Sequence, residues 1–401
     1  MMGRIIFIAI ILLFCTLFST YTGWRLITPT KVRFPLKVMA WVAVVTLWVS
    51  FPLPILLRRM GFNHPGVDTL SHVIYTGIGF MSLVLVLLFI RDAVWIVGIL
   101  IRKLVSLVGT LFPSGTGTKK IFDAGRREFV INSVNGGVLA VSAGLTAYGG
   151  FEAFRVPRVQ EVRVPVKGLP KDLEDFRIVQ LTDLHINYPG QGKWVKAVVE
   201  KVNRVHPHVV ALTGDLADRP AVSLRNDVAP LSGLSAKYGC FFVTGNHEYY
   251  SGVMGWISEV KRLGFRVLIN EHMIITHGNG RLLLGGVTDY SAGRRFNMHH
   301  SSPGAAIAGA RDTDFKILLA HQPKSIFEAA AAGFDLQICG HTHGGQFLPW
   351  KYAVSLNQPF ISGLDKYKNT QIYVSRGTGY WGPPLRLGAP SEISLIKLTA
   401  A

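Results

Sequence analysis

The residues best able to do chemistry in this 401-residue chain lie in five short stretches, each directly after an apolar run. TDLHIN holds Asp183 and His185; TGDLADR holds Asp215, Asp218 and Arg219; TGNHEYY holds Asn246, His247 and Glu248; AHQP holds His321; GHTHGG holds His341 and His343. Two imidazoles two positions apart, flanked by glycine, have no use in an apolar core unless something binds them. Glycine suits a backbone that must come close to another group. In extended chain, Asp183 and His185 face one way. Asp183, Asp215 and Asn246 offer oxygen; His185, His321, His341 and His343 offer imidazole nitrogen. That set is too large for one tetrahedral ion and suits two ions sharing a bridging carboxylate. Carboxylate and imidazole without thiolate point to Mn²⁺, Fe or Zn²⁺.

A frame is needed to bring these stretches together. Phe176–Leu181, Val209–Leu212, Cys240–Val243, Phe315–Leu319 and Leu336–Cys339 read as buried strands. Trp194–Val205, Val222–Leu234 and Val253–Leu263 carry helical periodicity. Each candidate ligand then follows a strand, at the C-terminal edge where α/β sheets place their sites. HGNG, between Met273–Thr276 and Leu282–Val287, marks a hairpin. Ile372–Ser375 and Ile393–Leu398 read as late strands, and the proline-dotted stretch after Gly150 as a linker running into an edge strand. The pattern predicts an α/β domain over 151–401.

The series Asp-x-His, Gly-Asp, Gly-Asn-His-Glu, His and Gly-His-x-His resembles the calcineurin-like metallophosphoesterases, over about Asp175 to Leu398. The resemblance implies a four-layer αββα sandwich of two mixed sheets. It implies one ion on Asp183, His185 and His343 and another on Asn246, His321 and His341, with Asp215 bridging. His247 is then the candidate proton donor to the leaving group, Asp218 its orienting carboxylate and Arg219 a phosphate contact. Pro220 stands where similar motifs often have glycine. GNHEYY and GHTHGGQ look most like a membrane-associated bacterial branch that includes enzymes resembling UDP-2,3-diacylglucosamine hydrolases. The reaction expected is hydrolysis of a phosphomonoester, phosphodiester or pyrophosphate. A non-catalytic, membrane-tethered module that binds metal or phosphate is the alternative, and it would fit better a chain with ligands missing.

Residues 1–150 differ in kind. They hold 14 Lys/Arg against four acids (Asp68, Asp92, Asp123, Glu128), which is +10 of the total +18. The basic excess lies beside apolar segments, so it marks membrane topology rather than a nucleic-acid groove. Ile5–Tyr21, Val38–Leu57, Val73–Ile90 and Phe129–Tyr148 are candidate spans, and Ala93–Ile101, after an interruption at Arg91 and Asp92, is the end of a long helix, an interfacial helix or half of another span running to Phe112. A secretory signal peptide is the other reading of the first run. Four or five spans are expected. Arg25, Lys31, Arg33 and Lys37 crowd one loop; Arg102, Lys103, Lys119, Lys120, Arg126 and Arg127 crowd another. With both loops cytoplasmic, the C-terminal domain lies outside the cytoplasm. GRREFVINSVNGG also resembles a twin-arginine export signal, which places the domain on the same side.

The expected substrate is therefore a lipid-linked or nucleotide-sugar phosphoester at the membrane. His206 and His208 read as exposed. His299 and His300, with Arg294 and Arg295, read as a polar loop able to cover a cleft, and Arg386 in WGPPLRLGAP as a cleft-lining residue. Cys15, Cys240 and Cys339 form no disulfide framework.

Overall fold

The apolar runs that precede the candidate ligands all form strands in a computed structural model of the chain, which describes residues 2–62, 64–111, 124–310 and 312–401. The chain falls into two compact units, 1–149 and 150–401.

The first unit is helical. Its elements are α1 (Met2–Leu26), α2 (Phe34–Val49), α3 (Leu53–Arg59), α4 (Pro65–Leu111) and most of α5 (Ala124–Phe154). Two stretches, Pro65–Val108 and Glu128–Phe154, are long and apolar enough to cross a membrane. One expectation changes here and one alternative is selected. The run Val38–Leu57 is not one helix: it breaks between α2 and α3 at Pro52, whose ring removes an N–H that a continuous helix would need. Of the alternatives for Ala93–Ile101, the end of a long helix is the one formed: α4 runs straight through Arg91 and Asp92. Both are 8% exposed; they pair with each other, and their further partners come from other helices. Asp92 Oδ1 accepts from Arg91 Nε (2.9 Å) and Nη2 (2.7 Å), and Oδ2 accepts from the Tyr21 hydroxyl at 2.7 Å. Arg25 Nε lies 2.7 Å from the same Oδ2. Arg91 Nη1 donates to Asn135 Oδ1, and Asn135 Nδ2 donates to the Arg25 carbonyl at 2.9 Å. Lys119, Lys120 and Phe112 lie outside the described residues, as does the structure of the loop they belong to.

The second unit holds two six-stranded sheets. In chain order the strands are β1 (Arg158–Val166), β2 (Arg177–Leu181), β3 (Val209–Thr213), β4 (Cys240–Val243), β5 (Phe265–Val267), β6 (Glu271–His277), β7 (Gly280–Gly286), β8 (Phe315–Leu319), β9 (Leu336–Cys339), β10 (Gly363–Tyr367), β11 (Thr370–Val374) and β12 (Glu392–Ala400). One sheet runs β1-β12-β2-β3-β4-β5, the other β10-β11-β9-β8-β7-β6. Both are mixed: β2 to β5 pair in parallel while β12 runs antiparallel to β2, and β7, β8, β9 and β11 pair in parallel while β6 and β10 run antiparallel at the edges. The stretch read as an edge strand is β1, at the end of its sheet.

Strand alternation explains how the sheets stack. Ile178, Val209, Ala211, Phe241 and Val243 of one sheet meet Leu282, Leu284, Ile317, Leu319 and Ile338 of the other in a single buried core. The opposite face of the first sheet, with Val179, Leu181, Val210, Leu212 and Phe242, packs under α6 (Gly192–Asn203), α7 (Ala221–Val228) and α9 (Val253–Arg262). The short α8 (Asn246–Ser251) sits between α7 and α9 in sequence. Further helices pack on the outer face of the second sheet through Leu283, Leu318, Ala306 and Ala329. The central parallel strands β2, β3, β4, β8 and β9 therefore end close together, and the candidate ligands follow their last residues.

Candidate metal centre

Burying a carboxylate or an imidazole is costly without partners, yet Asp183, His185, Asp215, Asn246, His321 and His343 are all 7% exposed or less. The structure brings the aspartates and histidines together, and the backbone N–H of His247, next to Asn246, donates to Asp215 Oδ1 at 2.8 Å. His185 Nε2 lies 3.1 Å from His343 Nε2 and 3.9 Å from Asp183 Oδ1, and His343 Nε2 lies 3.5 Å from Asp183 Oδ1. His321 Nε2 lies 3.0 Å from Asp215 Oδ2 and 3.1 Å from His341 Nδ1. Asp215 Oδ2 is also 3.8 Å from His185 Nε2, so this carboxylate stands between the two groups. Asp183–His185–His343 and Asp215–His321–His341 each present three donor atoms within 4.8 Å of one another.

The route to this convergence differs from the one expected. Asp183 and His185 do not share a face through strand alternation. Both sit past the end of β2 in left-handed backbone, at φ 54° and 46°. Asp215 (52°), His341 (72°) and His343 (52°) do the same. Non-glycine residues avoid this region, and it persists only where surroundings hold it. Five of the seven candidate ligands thus turn sharply off their strands. The glycines leave room for their side chains. A Cβ on Gly340 would lie 2.2 Å from Asp183 Oδ2, and one on Gly245 would lie 2.2 Å from Asp215 Oδ1.

The donor set is one that divalent cations take. Imidazole nitrogens face each other and face carboxylate oxygens with little else between them. The Asn246 side-chain oxygen is buried without a hydrogen-bond donor, a state that costs stability unless something supplies positive charge. Nothing in this arrangement offers sulfur.

The surrounding groups orient the set. Asp218 Oδ1 accepts from Nδ1 of both His185 and His247, at 2.7 Å each, and these imidazoles outweigh its burial to hold it well below the carboxylate range. Against the cost of burial, His321 and His247 hold Asp215 low as well. Burial opposes charge on His247, but Asp215 and Asp218 win and raise it to about 9. Its Nε2 is 4.0 Å from Asp215 Oδ2, and its ring packs beside Tyr250 and Trp381, with centroids 5.1 and 5.9 Å away. Burial lowers His341 to about 4 and pushes Asp183 up. Arg219 is buried, and its carbonyl accepts the Trp256 indole N–H at 2.9 Å.

Glu248 has a part that the sequence left open. Its oxygens accept backbone N–H from Gly245 (2.6 Å), Asp215 (3.0 Å) and Leu216 (2.8 Å), tying the Gly-Asp turn to the start of α8. Asp289 was missed altogether. It is fully buried past the end of β7, and its Oδ1 accepts from Gln322, the neighbour of His321, at 2.8 Å. The rule that found the other acids, a carboxylate after a buried strand, applies to it equally. Two histidine readings are corrected. His208 is half-buried: it stacks on Phe176 with centroids 4.8 Å apart, and its Nδ1 accepts the Arg177 N–H at 2.9 Å. His299 is buried, with Nδ1 2.8 Å from the Tyr249 hydroxyl. With Arg295 over the Tyr250 ring at 4.5 Å, this anchors the His299 loop to α8, the helix that carries His247.

Comparison with known proteins matches residues 176–345 to the family described as calcineurin-like phosphoesterase. An uncharacterized metallophosphoesterase of Helicobacter pylori is 36% identical over 275 residues, covering 68% of this chain and 72% of that protein. A transmembrane protein with metallophosphoesterase domain from Danio rerio is 34% identical over 271 residues, covering 66% of this chain and 62% of that one. The similarity is therefore not confined to bacteria. Among solved structures, a 5'-nucleotidase precursor from Thermus thermophilus aligns at TM-score 0.32 and 14% identity, over 55% of this chain and 54% of that chain, about half its length.

Proposed function

The chain belongs to the calcineurin-like phosphoesterase family, and from that premise we propose that it hydrolyses phosphoester bonds with two divalent cations, Mn²⁺, Fe or Zn²⁺. The observation that carries this reading is the convergence of Asp183, His185 and His343 on one side of Asp215 and of His321 and His341 on the other. In this reading the first three side chains hold one ion, Asn246, His321 and His341 hold the other, and Asp215 serves both. Such ions, when bound, supply Lewis-acid polarisation and a nucleophile at neutral pH. The protein's own groups do the rest. His247, held by Asp218 and next to Asn246, can give a proton to the departing ester oxygen. Asp218 fixes the His247 ring through Nδ1, leaving Nε2 to face the reaction. Arg219, next to Asp218, is the proposed phosphoryl contact. Water adds to phosphorus, the P–O bond to the leaving oxygen breaks, and the phosphoryl group departs with the water's oxygen while the leaving oxygen, of an alcohol or of a second phosphate, takes the proton.

We also propose that the chain is a multi-pass membrane protein with its phosphoesterase unit outside the cytoplasm. It would act on a lipid-linked or nucleotide-sugar phosphoester, of the kind UDP-2,3-diacylglucosamine hydrolases take. Two helices apolar enough to span and the basic loops beside them support this, and relatives are named as transmembrane proteins. The test of function is hydrolysis of bis-p-nitrophenyl phosphate by the purified full chain with Mn²⁺. Loss of activity in Asp215→Ala is expected, and equal rates in variant and parent would contradict the proposal.

A further inference from the structure

Arg386 was expected to line a cleft. Instead it is 1% exposed, among the largest fully buried side chains of the described residues. A buried guanidinium normally answers a carboxylate, but among the described residues its hydrogen-bond partners are neutral. Nε donates to the Gly379 carbonyl at 3.1 Å, and Nη2 donates to the same oxygen. Nη1 donates to the carbonyls of His343 (2.9 Å), Arg376 (2.6 Å) and Ala389 (3.2 Å). Nη2 also lies 2.9 Å from His343 Nδ1.

Comparison with the other ligand histidines shows what is unusual. A histidine that binds metal through one nitrogen ordinarily gives its other N–H to a carboxylate or carbonyl. His185 Nδ1 faces Asp218 at 2.7 Å, and His321 Nδ1 faces the Thr213 carbonyl at 2.9 Å. His343 alone of these three has a cation behind it. The backbone gives an independent reason for the arginine. His343, Gly344, Gly345 and Gln346 are successively left-handed, at φ 52°, 61°, 78° and 49°. Such a run needs outside restraint. Arg386 supplies it at the His343 carbonyl, and its neighbour Leu387 does so through its N–H to the Gln346 carbonyl at 2.9 Å. The chain also passes so closely here that a Cβ on Gly377 would lie 3.2 Å from both Arg386 Nη2 and His343 Nδ1.

We infer that Arg386 is a positioning residue for the metal centre: it holds the His343 carbonyl, and with it the left-handed loop that carries the ring, so that the Asp183–His185–His343 group can take up a divalent cation. Arg386 touches no atom that reacts, and it leaves the Asn246–His321–His341 group alone. Its effect is therefore confined to one of two ions. The inference rests on the dimetal reading above.

The experiment is Mn²⁺ titration of the full chain in detergent, read by elemental analysis after equilibrium dialysis and by calorimetry, for the parent, Arg386→Gln and Arg386→Lys. The parent is expected to take up two ions. Arg386→Gln should keep one at parental affinity and bind the other about 10- to 100-fold more weakly. Its kcat should fall at low Mn²⁺ with KM little changed, and excess Mn²⁺ should restore the rate. Arg386→Lys, which keeps the charge but not the fork, should fall between. Both ions at parental affinity in Arg386→Gln would overturn the inference. So would loss of both ions together with the cooperative melting transition, since Arg386 would then be a general structural group. A parent that takes up no Mn²⁺ overturns the dimetal reading itself, and this inference with it.

Discussion

The two units of this chain both bury charged side chains, and they treat them in opposite ways. In the helical unit, both oxygens of Asp92 and both ends of the Asn135 amide are answered by Arg91, Arg25 and Tyr21. In the phosphoesterase unit, ring nitrogens of His185 and His343, and of His321 and His341, face each other at 3.1 Å, and the Asn246 oxygen has no donor at all. A buried polar cluster that satisfies itself ties helices together. One that leaves its acceptors aimed at a shared point needs a guest. That difference separates structure from function here more sharply than the amount of buried charge does.

The largest effect should come from breaking the cluster that needs a guest. Asp215→Ala removes the carboxylate common to both groups, and phosphodiesterase activity should fall to background with both ions lost on dialysis. His247→Gln sharpens the point. It should retain both ions while the rate drops ~10²–10⁴-fold, the usual worth of a positioned acid; lost metal would make His247 a ligand instead. Asp92→Ala, in the self-satisfied cluster, should leave the rate per folded molecule unchanged. It should destabilise the detergent-solubilised protein by about 3–5 kcal/mol, since Arg91 stays buried without its counter-charge. A melting curve and a kcat measured on one sample check both halves. Mn²⁺ at a hundred times its Kd should stabilise the parent by about 2.7 kcal/mol and Asp215→Ala by little.

The smallest effect concerns His208, which burial lowers to about 4. The unfolded chain takes up this proton near 6.5 and the folded chain does not. Stability is therefore unaffected by this group above the unfolded pKa and declines as pH falls from there toward 4. His208→Gln should flatten that part of the stability-against-pH curve, and an unchanged slope would contradict the assignment.

The order of the candidate ligands was legible because each follows a run of apolar residues that only a buried strand explains, as at Val209–Thr213 and Leu336–Cys339. How they converge was not. Positive φ at Asp183, Asp215 and His343 was not read, because Asp and His tolerate that region but occupy other backbone far more often. The strands β5 and β10 carry too few alternating apolar residues to signal themselves. Arg91 and Asp92 looked like a break in an apolar helix because their partners Tyr21, Arg25 and Asn135 lie far away in sequence. Arg386 is the same lesson within the site: one arginine in a proline-rich loop says nothing about the five backbone and ring atoms that surround it.

The central claim is that a divalent pair sits between these side chains. Anomalous diffraction from crystals of the Mn²⁺-loaded protein tests it most directly. Two peaks are predicted, one among Asp183, His185 and His343 and one among Asn246, His321 and His341, with Asp215 between them. A map with no peak there, in protein that hydrolyses the phosphodiester, would contradict the account.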